Sequence, residues 1–281
     1  MSSGPPTAHA PDPAALSVRM HVARRVAAEA GSILLRHLGT LGGYEQKRSS
    51  IDLVTVADRE SEAFIAGALR ARFPEDSLCL EEADGREGIG ARRAELDAAS
   101  FAWCVDPLDG TTSFVHGYPA FAVSIGLLHH GRPVLGVVHA PARRETFAGG
   151  VGIPATKDHH PITVSSTRSL DRALLGTGFP YDRRQRVDEI LAVIRRALLV
   201  CHDLRRSGSA ALDLCDVAAG RLDGFFEQTL APWDLTAGHA IIEAAGGTLS
   251  SYRGAPHDVF AGDTVASNAL IHAELIQLVA T

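Results

Sequence analysis

The sequence predicts two unlike halves behind a flexible N-terminal tail of residues 1–13: an α+β half over 14–150 and an α/β half over 151–281. Three observations predict this division. Two stretches with a helical apolar period come first, a run of short apolar segments broken by turn residues follows, and from about residue 160 strand-like and helix-like patterns alternate. A chain of 281 residues is long enough to bury a sizeable core in either one large domain or two halves that share an interface.

Taken in order, the tail MSSGPPTAHAPDP has neither the basic start nor the apolar centre of a signal segment. Asp12 and Pro13 supply a cap and a first position for a helix carrying Leu16, Val22, Val26, Ile33 and Leu34, which Gly39 ends. A second helix follows Asp58, with Phe64, Ile65, Ala68 and Leu69 on one face and FPE as its stop. Strand signals come next: SLCL before Glu81, FAWCV before Asp106, and a hairpin of AFAVSIGLL and PVLGVVHA around HHGR. Residues 84–100 are polar and weakly patterned, and are expected to form a surface excursion that returns the chain to the strand ending at Val105.

In the second half, ALLGTG reads as a strand, Val187 to Val200 as a helix, SGSAALDLCDVAAG as a helix closed by Gly220, and LDGFFE as a strand. DLTAGHAIIEAAGG then reads as a glycine-closed helix, VASN as a short strand and the last ten residues as a helix.

Composition narrows the function. The formal net charge is −6 and no run of Lys and Arg is long enough to track a nucleic-acid backbone, so no nucleic-acid partner is expected. An anionic substrate then needs local positive charge from a few basic side chains, backbone amides or bound metal. Cys79, Cys104, Cys201 and Cys215 form no CxxC pair and read as buried thiols of a reducing compartment. No apolar run approaches the roughly 20 residues of a membrane span, so a cytoplasmic protein without a membrane partner is expected.

The segment WCVDPLDGTTSF carries the chemistry. Asp106 is placed where a buried strand leaves its sheet, and Pro107 turns the chain there, so that Asp106 and Asp109 can face one another and share a divalent cation with a main-chain carbonyl between them. Gly110, Thr111 and Thr112 follow with three amides and two hydroxyls, a cradle for phosphate. In isolation the same residues make an ordinary turn. A covalent aspartyl-phosphate mechanism fits poorly, because it uses aspartates at i and i+2 after a first strand whereas this pair stands at i and i+3, deep in the chain. Glu81 and Glu82 end a strand, and Asp58 and Asp234 stand at helix starts; each alone reads as a cap or a solvated charge, but together they repeat the acidic placement that a divalent-metal site requires.

VDPLDGTTSF resembles the first signature of the inositol monophosphatase family and PWDLTAGHAIIEAAGG its second. Between them, RRSGSAALDLCDVAAGRLDGFFE is similar to the corresponding segment of bacterial members, and KRSSIDLVTVAD and EEADG stand upstream in family order, so the resemblance covers nearly the whole chain from about Leu16. It implies the layered αβαβα sandwich of the inositol monophosphatase and fructose-1,6-bisphosphatase type. It also implies a phosphomonoesterase that uses two or three Mg²⁺ ions and no covalent intermediate.

Residue by residue, the resemblance matches Glu81, Asp106, Asp109 and Asp234 to side-chain metal ligands, with the carbonyl of Leu108 contributing. Thr111 and Glu81 match the pair that orients the attacking water, and Lys47 and Asp58 a polar cluster near the metals. On the substrate side, Gly110, Thr111 and Thr112 match the phosphate cradle, Ser209, Ala210 and Glu227 the contacts to a hydroxyl-bearing body, and Asp109 and Asp234 also face substrate. The expected substrate is a small phosphorylated polyol, inositol 1-phosphate, and the expected assembly a homodimer. Fructose 1,6-bisphosphate, histidinol phosphate, adenosine 3',5'-bisphosphate and NADP, or a binding role on the same fold, are the alternatives.

The departures from the family pattern are Ser113 for a usual Asn, Thr236 for a small residue, Leu80 for Gly or Ser, and Ala83 where a hydroxyl is common; none removes a metal ligand. The pairs His129 with His130 and His159 with His160 lie in expected turns, where neighbours point apart, and do not suggest zinc. GTGFPYDRR lacks the strand, loop and Lys order of a P-loop and is expected at the pocket rim, while Arg206 is able to face an anionic substrate.

Overall fold

In the computed structural model, which describes residues 11–39, 45–46 and 53–280, the helix expected after Asp12 is α1 (Pro13–His37). The Asp12 carboxylate accepts from the Ala14 amide at 3.0 Å, and Leu16, Val22, Val26, Ile33 and Leu34 are all buried. Lys47 and most of the expected tail lie outside the described residues. A short antiparallel pair, β1 (Glu45–Gln46) and β2 (Leu53–Val54), precedes α2 (Val56–Arg72). That helix starts two residues before Asp58, because Thr55 and not Asp58 is its N-cap.

The first large sheet takes its strands in sequence order: β3 (Ser77–Leu80), β4 (Ala102–Asp109), β5 (Ala122–His129), β6 (Arg132–Ala140), β7 (Glu145–Gly150), β8 (Ile153–Lys157) and β9 (His160–Pro161). Only β3 and β4 pair in parallel. The sheet runs on past residue 150 through β8 and β9.

Two expectations are corrected here. Residues 84–100 are not a surface excursion: α3 (Glu81–Ala98) fills most of that stretch, bent at Gly85, whose φ is 63°. Its apolar pattern is faint because only Ile89 and Leu96 anchor it in the core, while Arg92 holds the outer face together through Asp84 and Glu95. Nor does Asp106 stand where the strand leaves its sheet, since β4 continues to Asp109 across a bulge.

A short helix, α4 (Thr111–Val115), follows β4. The second sheet has the order β11 (Asp203–Arg205), β10 (Leu174–Thr177), β12 (Gly224–Glu227), β14 (Thr264–Ser267), β13 (Thr248–Ser250). β10 pairs in parallel with both β11 and β12, as helical crossovers require, and those crossovers are α5 (Val187–Val200) and α6 (Ala210–Ala218). α7 (Pro232–Ala244) and α8 (His272–Val279) complete the chain.

The layers follow from which faces are apolar. α1 and α2 cover one face of the first sheet, α6 and α7 lie between the sheets, and α5 and α8 cover the far face of the second, giving the αβαβα sandwich. α7 comes very close to the first sheet because β5 has Gly126 at the contact: a Cβ there would lie 2.6 Å from the Thr236 side chain. All four cysteines are free, three of them buried. Among the described residues no helix is long and apolar enough to cross a membrane.

Candidate active site

The bulge in β4 builds the centre of the site. Asp106 pairs with Ser124 and Asp109 with Ala122, so Pro107 and Leu108 together oppose one residue of β5. The extra residue re-aims the strand end and brings two side chains three apart into one region. The Asp106 carboxylate accepts from the Leu108 amide at 2.9 Å, while the hydroxyl of Ser61 on α2 fixes the Pro107 carbonyl at 3.0 Å. Gly110 then turns the chain with φ 92°, where a Cβ would stand 2.5 Å from the Ala120 carbonyl oxygen.

Four helix starts supply the rest. Glu81 opens α3 and shares a hydrogen bond with Asp106. In α2, Asp58 accepts from the Thr55 amide at 2.8 Å and its hydroxyl at 2.6 Å, and the Thr111 hydroxyl lies 3.3 Å from Asp58 and 3.2 Å from the Leu108 carbonyl. Ser209 caps α6 and donates to Asp109 at 2.6 Å, and the Ala211 amide donates to the same oxygen at 2.7 Å. Asp234 in α7 accepts from the Ala231 amide at 2.7 Å and from Arg86 at 2.9 Å.

Burial and mutual repulsion dominate the electrostatics. Asp106, Asp109 and Asp234 are all buried. Burial, then the charges of Glu81, Asp109 and Asp234, push the Asp106 carboxyl well above the usual carboxylate range. Asp109 rises to about 7 for the same two reasons, although its bonds from Ser209 and Ala211 oppose the rise. Asp234 is raised by burial and partly restored by Arg86. Glu227 at the end of β12 is pushed to about 8 by burial and by Asp234.

A cavity of about 370 Å³ lies over these groups, lined by Asp109, Gly110, Thr111, Thr112, Ser209, Ala210, Glu227 and Asp234, so the expected substrate residues share one surface. Phe179, Tyr181 and Arg183 of the expected rim segment also line it. Among the described residues no group of three or more His, Cys, Asp or Glu side chains is posed to hold a metal ion. Three of the carboxylates are instead turned to the protein's own donors: Asp106 to the Leu108 amide, Asp109 to Ser209 and Asp234 to Arg86. The chemistry of the set suits a hard divalent cation all the same, since its donors are oxygens and bound positive charge would relieve the repulsion that raises their pKa values.

Residues 16–281 match the model of the inositol monophosphatase family. The chain belongs to that family. Within it, the chain is 41% identical over 268 residues to an inositol-1-monophosphatase from Synechocystis sp., covering 95% of this chain and 91% of that protein. It is 37% identical to a protein of Escherichia coli named Nus factor SuhB, covering 89% of this chain and 91% of the relative. The solved inositol monophosphatase from Anabaena (Nostoc) superposes with a TM-score of 0.80 at 38% identity, covering 94% and 96% of the two chains.

The departures from the inositol monophosphatase pattern are absorbed locally. The Thr236 hydroxyl donates to the Pro232 carbonyl at 2.7 Å and its methyl packs on Gly126; Leu80 is buried, and its amide donates to Asp84 at 2.8 Å. Two residues escaped the sequence reading. Arg86 was hidden in a stretch without clear periodicity, and only Gly85, four residues after Glu81, marks where the helix bends beside it. Asp213 is buried in the cavity wall with its carboxyl pushed to about 8 by burial; its signal was an aspartate one helical turn after Ser209 in an otherwise apolar segment.

Proposed function

We propose that the protein is a magnesium-dependent phosphomonoesterase that removes phosphate from a small phosphorylated polyol, inositol 1-phosphate being the expected substrate. The observation that carries this reading is the gathering of Glu81, Asp106, Asp109 and Asp234 from three separate elements, beneath a cavity walled by Thr111, Ser209 and Glu227. Those four carboxylates and the Leu108 carbonyl would hold the two or three Mg²⁺ ions. When bound, the metal supplies positive charge that lowers the pKa of water and stabilises the departing alkoxide.

The chain's own residues do the positioning. Asp58, fixed by Thr55, keeps the Thr111 hydroxyl directed at the cluster, where Thr111 and Glu81 orient the attacking water; Lys47 joins Asp58 in the family pattern. The amides of Gly110, Thr111 and Thr112 receive phosphate oxygens. Glu227, Ser209 and Ala210 meet the polyol hydroxyls, with Asp109 and Asp234 flanking them. The exposed apolar residues Leu191, Leu198 and Leu199 of α5 support the expected homodimer, and the chain is read as cytoplasmic.

The test is phosphate release from inositol 1-phosphate, fructose 1,6-bisphosphate, histidinol phosphate, adenosine 3',5'-bisphosphate and NADP, with and without magnesium. Magnesium-dependent release led by inositol 1-phosphate is expected; folded protein that releases phosphate from none of the five overturns the reading. A second reading, a binding role on the same fold, is favoured by the relative named as a Nus factor, and it reopens the question of a protein or nucleic-acid partner. Partner binding that survives Asp106→Asn while turnover is lost separates the two.

A further inference from the structure

We propose that Glu62 is a positioning residue for the metal site: from α2 it caps the start of α3 and so fixes the direction of Glu81. The metal rests on the phosphatase reading above; the cap does not.

α3 opens without a cap of its own. The residue at its cap position is Leu80, whose side chain accepts nothing, so the first amides of the helix need an acceptor from elsewhere. Glu62 supplies it from α2: its carboxylate accepts from the Glu82 amide at 2.7 Å and also from the Ala83 amide. Asp84 reaches back to the Leu80 amide at 2.8 Å, so Glu62 and Asp84 together make the two halves of a capping box that is split between two helices.

The cap matters because of what it holds. Gly85, with φ 63°, breaks α3 after its first turn, so residues 81–84 are not kept in line by the body of the helix. Leu80 ends β3 and pairs with Val105 of β4, which places Glu81 and Asp106 one step further along two parallel neighbours, where they share a hydrogen bond. The angle at which that first turn leaves β3 decides whether Glu81 meets Asp106. A carboxylate fixed to two amides of the turn sets the angle.

α2 carries two more such contacts on the same face. Asp58, Ser61 and Glu62 are spaced i, i+3 and i+4, and all three are buried. Asp58 meets the Thr111 hydroxyl, Ser61 holds the Pro107 carbonyl in the bulge, and Glu62 holds the first turn of α3. One helix face therefore sets three separate pieces of the site. Glu62 does not line the cavity, so the polyol contacts do not depend on it directly.

Glu62→Ala and Glu62→Gln test this. Glutamine keeps an oxygen that accepts from the same two amides; alanine keeps none. In the metal-free protein, hydrogen exchange at the Glu82 and Ala83 amides should quicken at least about tenfold in Glu62→Ala and by much less in Glu62→Gln. Magnesium titrated calorimetrically should bind Glu62→Ala about tenfold more weakly than wild type. At saturating magnesium, kcat for inositol 1-phosphate should fall about tenfold with KM changed less than about twofold, and Glu62→Gln should recover most of both losses. Should the alanine protein not fold, Glu62→Asp, whose shorter arm falls short of the amides, carries the same expectations. Exchange that neither variant changes, faster exchange in Glu62→Ala with wild-type magnesium affinity and kcat, or a glutamine variant as impaired as alanine overturns the proposal. A folded wild type that neither binds magnesium nor releases phosphate sinks the phosphatase reading, and exchange at the two amides then decides the cap by itself.

Discussion

At the start of α2, Asp58 stands in the third helical position and accepts from the Thr55 amide at 2.8 Å; at the start of α7, Asp234 stands in the third position and accepts from the Ala231 amide at 2.7 Å. The backbones are alike, but the surroundings are not. Asp58 has the hydroxyls of Thr55 and Thr111 around it, whereas Asp234 follows an alanine cap with no oxygen to offer and faces other carboxylates and one guanidinium. A carboxylate served by hydroxyls is a cap that also directs a neighbour. One held among like charges is kept for what it binds, because its own contribution to folding is diminished by burial and repulsion.

The comparison breaks first at Asp234→Asn. Activity should fall at least about a hundredfold, beyond what loss of an outer partner of a metal ligand costs, while the melting temperature changes little, because the relief of repulsion among the carboxylates offsets the lost ion pair with Arg86. Unchanged turnover in that variant would reduce Asp234 to a cap. Next is Arg86→Gln, which leaves Asp234 without its counter-charge: urea unfolding of the metal-free protein should show a loss of about 2 kcal/mol, narrowing when magnesium is added. Asp58→Ala should lower stability by about 1 to 2 kcal/mol and activity by about tenfold, the first through the lost cap and the second through a Thr111 hydroxyl set free. Thr55→Ala should cost about 1 kcal/mol with a smaller effect on activity.

The smallest effect is on pH. Glu227 at about 8, and Glu62, a buried carboxyl of α2 that accepts from the Glu82 amide at 2.7 Å, at about 7, are both raised chiefly by burial and hold protons in the fold that the unfolded chain releases near the ordinary carboxylate value. The folded state therefore binds more protons between about 4.5 and 8, and the metal-free protein should lose stability as pH rises through that window. Urea midpoints at pH 5.5 and 8 check the sign.

Much of the fold was legible because its elements carry local grammar. Asp12 and Pro13 open α1, the Val187–Val200 helix stands at the expected bounds, and the hairpin from Ala122 to Ala140 is two apolar runs joined by a turn. What escaped lacked such grammar. α3 is anchored by two buried apolar residues, so its period is faint, and the bulge at Pro107 and Leu108 depends on a pairing register with β5 that no local pattern encodes. In the site, Asp106, Asp109 and Asp234 announced themselves through DPLDG and PWD. Arg86 did not, because its meeting with Asp234 spans 148 residues of sequence.

The most direct test of the central claim is a calorimetric titration of magnesium into the substrate-free protein, wild type beside Asp106→Asn. Saturable binding that the substitution weakens at least about tenfold is the predicted result. Equal binding by both proteins, or none by a wild type shown to be folded, would contradict a divalent-cation role for the carboxylate cluster.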